Sequence, residues 1–226
     1  MFESRPLRHN KKDPKIGSFL LSGWDEKQGP MYSLGIPPPP PNVLNLDNVI
    51  LSQFNKMIES NTFFPYKIFE GQEPLIFLAG PIIGARDWQK EAIEIIHRQN
   101  SKIIIASPRQ PDGLKSDFSF EKQVDWESFH LKKASEQGVI LFWLAKEQNH
   151  LCERPFAQTS RFELGEWNAK QKDKEPFLVV GIETGFTCGS YIKRRISQDC
   201  PQVKILQSLE ETCNTALEII QRKSKI

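Results

Sequence analysis

The chain has 226 residues, which is enough for one sizeable α/β domain with an extension. Its composition, with 38% hydrophobic and 26% charged residues, is typical of a globular protein. The net charge of +2 is too small to favour nucleic acid or an anionic membrane as a partner. No apolar run reaches the length of a membrane span, and Met1–Pro14 lacks the apolar core of a signal peptide. We therefore expect a cytoplasmic protein.

The cysteines give no sign of a metal site. Cys152, Cys188, Cys200 and Cys213 form no CxxC pair and have no matching histidine spacing. They also do not form the dense pattern of a small disulfide framework, so a reducing compartment is expected. The sequence predicts neither a metal nor a cofactor.

Residues 1–70 are predicted to form an N-terminal extension to a main domain at 71–226. The extension is predicted to contain a hairpin, a proline segment and a helix: Ile16–Trp24 with Met31–Ile36, Pro37–Pro41, and Leu46–Ile58. The five prolines impose polyproline II geometry, which suits a stiff spacer or a docking peptide for a proline-reading module.

From residue 74 onward, apolar strand patterns alternate with helical patterns. The predicted strands are Leu75–Ala79, Lys102–Ala106, Val139–Leu144, Phe177–Ile182 and Val203–Leu206. The predicted helices are one capped by Asp87, one over Glu121–Ser135, one beginning near Ser160, a short one around Ser190–Ile196, and a last one carrying Leu209 to Ile220. This alternation predicts a doubly wound, Rossmann- or flavodoxin-like α/β domain with a five-stranded parallel sheet.

The loops that follow the strands hold the candidate site, because ligands of open α/β folds bind at the carboxyl edge of the sheet. The loop Gly80–Trp88 has neither GxGxxG nor GxxxxGK[ST], which excludes a dinucleotide fingerprint and a P-loop. Gly80 and Gly84 either allow close backbone approach or are simple turn glycines. Arg109, after the second strand, can grip a carboxylate or phosphate or form a surface ion pair.

Glu163 permits two interpretations. Ser160-Arg-Phe-Glu163 matches the capping box S/T-x-x-E, in which the glutamate only caps a helix. A carboxylate fixed at a helix start also suits attack on an anomeric carbon, with Gly165 leaving the neighbourhood uncrowded. None of the four histidines adjoins a nucleophile motif, so no serine–histidine arrangement competes.

Several short motifs together resemble the nucleoside 2-deoxyribosyltransferase-like superfamily, especially its divergent second branch. The motifs are Phe77-Leu-Ala-Gly-Pro81, Asp87-Trp88-Gln89, Ser107-Pro-Arg109, Val124-Asp-Trp-Glu127, Ile140-Leu-Phe-Trp143 and Phe162-Glu-Leu-Gly-Glu166. They occur in the family's order and cover roughly residues 74–196.

The resemblance implies that Glu163 attacks C1′ of a 2′-deoxynucleoside and forms a deoxyribosyl-enzyme, which a second base or water then resolves. It places Asp125 nearby as a second catalytic candidate. The predicted substrate-binding residues are Gly80, Pro81, Asp87, Trp88, Arg109, Trp126 and Glu127. For Trp126, the simpler interpretation is that it packs in the hydrophobic core. Relatives often complete their sites across a subunit interface, which implies a homo-oligomer.

The sequence departs from the family at one point. The family's usual aspartate before the third strand is missing from Ala134-Ser-Glu-Gln-Gly-Val139. Glu136 or Asp125 can replace it, or the activity is changed or lost. For Tyr191, a role in the substrate pocket and a role in packing are equally good interpretations of the sequence.

The sequence therefore predicts an enzyme of nucleoside or nucleotide N-glycosidic bonds, either a transferase or a hydrolase. One alternative is an NAD glycohydrolase, which cleaves a similar bond. A second alternative, from another class, is a non-catalytic nucleotide-binding module with Pro37–Pro41 recruiting partners.

Overall fold

Six parallel strands form one sheet in the computed structural model, which describes residues 52, 60–111 and 119–223. In chain order the strands are β1 (Thr62–Phe63), β2 (Leu75–Ala79), β3 (Ile104–Ala106), β4 (Val139–Leu144), β5 (Leu178–Ile182) and β6 (Ile205–Leu206). Side by side they follow the order β1-β3-β2-β4-β5-β6. The predicted hairpin, proline segment and helix of the first 58 residues lie outside the described residues, except Ser52, which is helical.

Helices cover both faces of this sheet. They are α1 (Trp88–Gln99), α2 (Phe120–Gln137), α3 (Gln158–Gln171), α4 (Gly189–Asp199) and α5 (Leu209–Lys223). Helices α2, α3 and α4 contribute to the hydrophobic core on one face, while α1 and α5 contribute to the core on the other. The predicted doubly wound α/β fold is confirmed. None of the described helices has the length and apolarity that a membrane crossing requires.

The strand count differs from the predicted five because β1 adds a sixth strand. Thr62 pairs with Ile105 of β3, and the Ser107 amide donates to the Phe63 carbonyl at 2.9 Å. Two residues are too few to show a periodic apolar pattern. The strand exists because β3 offers it a partner more than forty positions along the chain, which local sequence cannot reveal.

The local signals at the centre of the domain are confirmed. All six residues of β4 are buried, as expected for a parallel strand covered on both faces. Asp87 caps α1, and its Oδ1 accepts from the Lys90 amide at 3.1 Å. The stripe predicted for the last helix, which includes Leu209, Cys213 and Ile220, is buried.

The strand order creates a switch point between β2 and β4. From β2 the chain moves outward to β3, then returns across β2 through α2 and continues outward from β4. Loops that leave β2 and β4 therefore diverge at the carboxyl edge, which is where open α/β folds bind ligands. Helix α2 packs on β2 and β4, and α3 packs on β5, so both helices lie on the same face beside this point.

Candidate active site

Glu163 lies in the second turn of α3 and does not cap it. The helix begins at Gln158, after Ala157 in a left-handed conformation with φ 56°, and has no side-chain cap. Ser160 consequently sits buried in the first turn. The predicted capping box is therefore wrong: the left-handed turn at Ala157 starts the helix three residues before the serine that was expected to start it.

The surroundings of Glu163 raise the pKa of its carboxyl group. Burial raises its pKa to about 8, and the negative charges of Glu127 and Glu166 add to the effect. Glu166 is exposed and pairs with Lys170. Burial also raises the pKa of Glu127, and a hydrogen bond from Gln123 offsets only part of this increase. The charge of Glu127 on α2 thus adds to the effect of burial on Glu163 of α3.

Glu127 is fixed in place by a glutamine one helical turn earlier. Gln123 Nε2 donates to Glu127 Oε1 at 2.6 Å and approaches the Pro108 carbonyl at 3.4 Å. Pro108 is the second residue after β3, so this contact ties Gln123, and through it Glu127, to the carboxyl edge of the sheet. The side chain is therefore oriented before any ligand arrives.

Among the described acids, Glu127 is the one on another helix whose charge raises the pKa of Glu163. Asp125, the predicted second catalytic residue, is exposed on a different side of α2. Glu136 lies nine residues beyond Glu127, about 13 Å along the helix, at the end where β4 begins. It thus sits at the opposite edge of the sheet and cannot replace a missing aspartate beside Glu163.

Two of the predicted binding residues are buried tryptophans. Trp126 is 2% exposed, donates from Nε1 to the Lys67 carbonyl at 2.8 Å and packs against Phe77. Its indole is a core residue and not a surface for a substrate. Trp88 is also fully buried, and its Nε1 donates to the Pro81 carbonyl at 2.8 Å, which fixes the start of the β2 loop.

The glycines of the β2 loop allow close approach between two loops. Gly80 has φ +150°, and a Cβ there would lie 2.2 Å from the Trp143 carbonyl oxygen. Gly84 has φ +82°, and its carbonyl accepts from the amides of Gln148 and Asn149 at 2.8 and 3.1 Å. These contacts give both glycines a structural reason within the protein, and close approach of a ligand to the backbone at Gly80 and Gly84 stays a prediction.

Arg109 organises the same loop from the end of β3. Its Nη2 donates to the carbonyls of Ile82 at 2.8 Å and Arg86 at 3.2 Å, while Nε donates to Gln89 Oε1 at 3.0 Å. Asp87 Oδ1 lies 3.4 Å from Nε. The guanidinium therefore positions the backbone that lines the site, a role that neither an anion grip nor a simple surface ion pair describes.

Arg109→Lys is expected to loosen this loop, because an ammonium cannot reproduce a planar fork that reaches several acceptors. The free energy of unfolding should fall by about 2 kcal/mol. Urea denaturation measures the loss. Arg98→Lys, at an exposed position on α1, is the matched control and should leave stability unchanged. Equal stabilities of the two variants would contradict the positioning role.

Glu183 ties the β4 and β5 loops together and was not identified from the sequence. Its Oε2 accepts from the Lys146 amide at 2.8 Å, and its Oε1 lies 3.8 Å from Arg86 Nε. The available signal was an acid directly after an apolar strand. Tyr191, by contrast, is 68% exposed on α4, so it does not pack in the core.

Gly165 faces open space. A Cβ at this position would meet no atom within 4 Å, so packing does not require a glycine here. The neighbourhood of Gly165 is uncrowded in the protein alone, and a need for glycine beside a bound ligand stays a prediction. A glycine inside a helix lowers helix stability, and no contact in the described structure compensates for it.

The protein is a doubly wound α/β protein with a switch point between β2 and β4, and open folds of this class bind ligands at the carboxyl edge of the sheet. Within the described residues, no group of His, Cys, Asp or Glu side chains could hold a metal ion. The chain belongs to the nucleoside 2-deoxyribosyltransferase-like family, whose model matches residues 73–186. The match includes the β2 loop, Glu127 and Glu163. A search of curated proteins found no match to the chain.

Proposed function

We propose that the protein cleaves the N-glycosidic bond of a 2′-deoxynucleoside or its nucleotide through a covalent intermediate on Glu163. The observation that carries this proposal is the position of Glu163 on the helix that follows β4, beside the switch point, where burial raises the pKa of its carboxyl group. Carboxyl groups with strongly perturbed ionisation in such a cleft are typical of catalytic residues. Family membership supplies the substrate class.

The proposed reaction is a double displacement. Glu163 attacks C1′ in its ionised form as the bond to the base breaks, so it must first lose the proton that its raised pKa favours in the free protein. The negative charges of the surrounding acids favour the positive charge of the oxocarbenium-like transition state. A second base or water then attacks C1′ and releases Glu163. The ordered β2 loop, held by Arg109 and Trp88, forms the proposed wall for the base.

Incubation of the protein with single 2′-deoxynucleosides, with and without a second free base, tests this function. Base exchange identifies a transferase, and release of free sugar identifies a hydrolase. Parallel incubation with NAD tests the glycohydrolase alternative. Binding of deoxynucleosides without turnover would contradict the proposal and support a binding module.

Three further expectations stay proposals: a homo-oligomer, a cytoplasmic location, and the division into an extension at 1–70 and a catalytic domain at 71–226. Light scattering of the purified chain measures the first. A truncated chain that begins near residue 71 tests the last, since the matched region starts at residue 73.

A further inference from the structure

We propose that Glu183 and Arg86 form a positioning link that fixes the β2 loop relative to the helix that carries Glu163. This inference rests on the proposed function and adds to it two residues that act on the reaction without touching the substrate. The proposed wall for the base and the proposed nucleophile lie on different segments of the carboxyl edge. Their relative position decides whether C1′ meets the Glu163 carboxylate when the base is bound.

Glu183 joins three segments at the end of β5. Its amide donates to the Leu144 carbonyl at 3.1 Å, and its Oε2 accepts from the Lys146 amide at 2.8 Å, so the β4 loop is fixed to β5 where it begins. Its Oε1 lies 3.8 Å from Nε of Arg86, in the β2 loop. One carboxylate therefore contacts the loops that leave both strands of the switch point.

Arg86 extends the link across the sheet. Its carbonyl accepts from Arg109 Nη2 at 3.2 Å, and Arg109 lies just after β3. Arg109, Arg86 and Glu183 thus form a continuous series of polar contacts from β3 to β5, which crosses β2 and β4 at the carboxyl edge. The side chains of Arg86 and Glu183 are 30% and 19% exposed, so solvent screens their attraction less than that of a fully exposed pair.

The β5 loop, residues 183–188, is in turn fixed to α3. Arg161, near the start of α3, donates from Nη2 to the Thr187 carbonyl at 2.7 Å, and its guanidinium lies 4.5 Å from the centre of the Phe186 ring. Glu163 follows Arg161 closely in the same helix. The β2 loop is therefore joined to the helix of Glu163 through the β5 loop, by contacts that do not involve the Glu163 carboxyl group.

The other contacts of the β2 loop do not replace this link. Arg109 fixes the loop relative to β3, and the Gly84 carbonyl fixes it relative to Gln148 and Asn149 of the β4 loop. Among the side chains of the described β2 loop, Arg86 is the one that contacts a residue of the β5 loop. The link therefore connects the base wall to the side of the site where α3 begins.

Loss of the link should displace the base relative to Glu163. A misplacement of about 1 Å can lower a rate about 10²-fold, and a loosened loop that still visits the correct position loses less. We therefore expect kcat to fall about 10-fold when the contact between Glu183 and Arg86 is broken.

The test compares Glu183→Gln, Arg86→Gln, the double variant and Glu91→Gln on 2′-deoxynucleosides. Glutamine at position 183 keeps an oxygen for the Lys146 amide and removes the charge that faces Arg86. Each single variant should lower kcat about 10-fold, and the double variant should lower it no further, because both changes break one contact. Glu91→Gln removes the other acid that pairs with Arg86 and should leave kcat unchanged.

Urea denaturation verifies that each variant is folded under the assay conditions. Folded variants that are less stable but keep the kcat of the unaltered protein would make the link purely structural and overturn the inference. Losses that multiply in the double variant would show that the two residues act separately, which also overturns it.

Hydrogen exchange followed by mass spectrometry detects the link without catalysis. The amides of the β2 loop should exchange faster in Glu183→Gln than in the unaltered protein, and Glu91→Gln should leave their exchange unchanged. Absence of turnover by the unaltered protein would refute the proposed function, whereas unchanged exchange in Glu183→Gln would refute the link itself, which separates the two failures.

Discussion

Glu163→Gln is expected to abolish turnover of 2′-deoxynucleosides while it makes the folded protein more stable. The amide is isosteric but cannot act as a nucleophile, so kcat should fall by about 10³-fold or more. Steady-state assays with chromatographic separation of bases measure the loss. Glu136→Gln is the matched control, because Glu136 is an exposed acid at the opposite edge of the sheet, and it should leave activity unchanged.

The gain in stability follows from the pKa of Glu163. Its pKa is about 8 in the folded protein against an ordinary value of 4.5, so the folded state binds the proton more tightly than the unfolded state. The stabilising effect of that proton is complete below pH 4.5 and is lost as the pH rises through about 8. Glutamine carries no such pH dependence.

The stability difference between Glu163→Gln and the unaltered protein should therefore grow between pH 4.5 and 8. Above this range we expect about 2 kcal/mol in favour of the variant, a value reduced for the partial exposure of the site. Urea denaturation at both ends of the range measures it. A variant that is inactive but no more stable at high pH would contradict the buried, repelled carboxyl group described here.

Gly80→Ala is expected to have the largest effect on stability. A Cβ at Gly80 would lie 2.2 Å from the Trp143 carbonyl oxygen and 2.8 Å from the Trp88 ring, and φ +150° disfavours any side chain. Backbone atoms cannot move aside as a flexible side chain can. The free energy of unfolding should fall by about 3 kcal/mol.

Gly165→Ala is the same substitution in open space and should have the opposite sign. Alanine favours the helix over glycine, so the variant should be more stable by about 0.5–1 kcal/mol. Thermal and urea unfolding of both variants measure the contrast. Similar effects of the two substitutions would contradict the close contact at Gly80 between the β2 loop and β4.

Local signals predicted the central strands, the Asp87 cap and the last helix, because each depends on residues that are near in sequence. The pairing of β1 with β3 could not be predicted, since only a partner from a distant part of the chain makes two residues a strand. The helix start predicted at Ser160 was wrong for a related reason. Its cap motif is common, but the left-handed turn at Ala157, which has no marked residue preference here, decides where the helix begins.

The site was predicted in part. The motifs gave Glu163, Asp125 and the β2 loop as candidates, and they left Arg109 as either an anion-binding residue or part of a surface ion pair. The roles of Asp125 and Arg109 require knowledge of which side of a helix faces a neighbour and which acceptors surround a guanidinium. Glu127 shares a helix face with Gln123, four residues away, and that spacing was a signal available in the sequence.

The central claim, that Glu163 forms the covalent intermediate, is tested most directly by trapping that intermediate. A 2′-fluoro-arabino nucleoside slows the second displacement, so the glycosyl-enzyme accumulates and can be digested and mapped by mass spectrometry. We predict a single sugar adduct on the peptide that contains Glu163, absent from Glu163→Gln. Turnover of the unaltered protein without any adduct, or an adduct on another carboxyl group, would contradict the account.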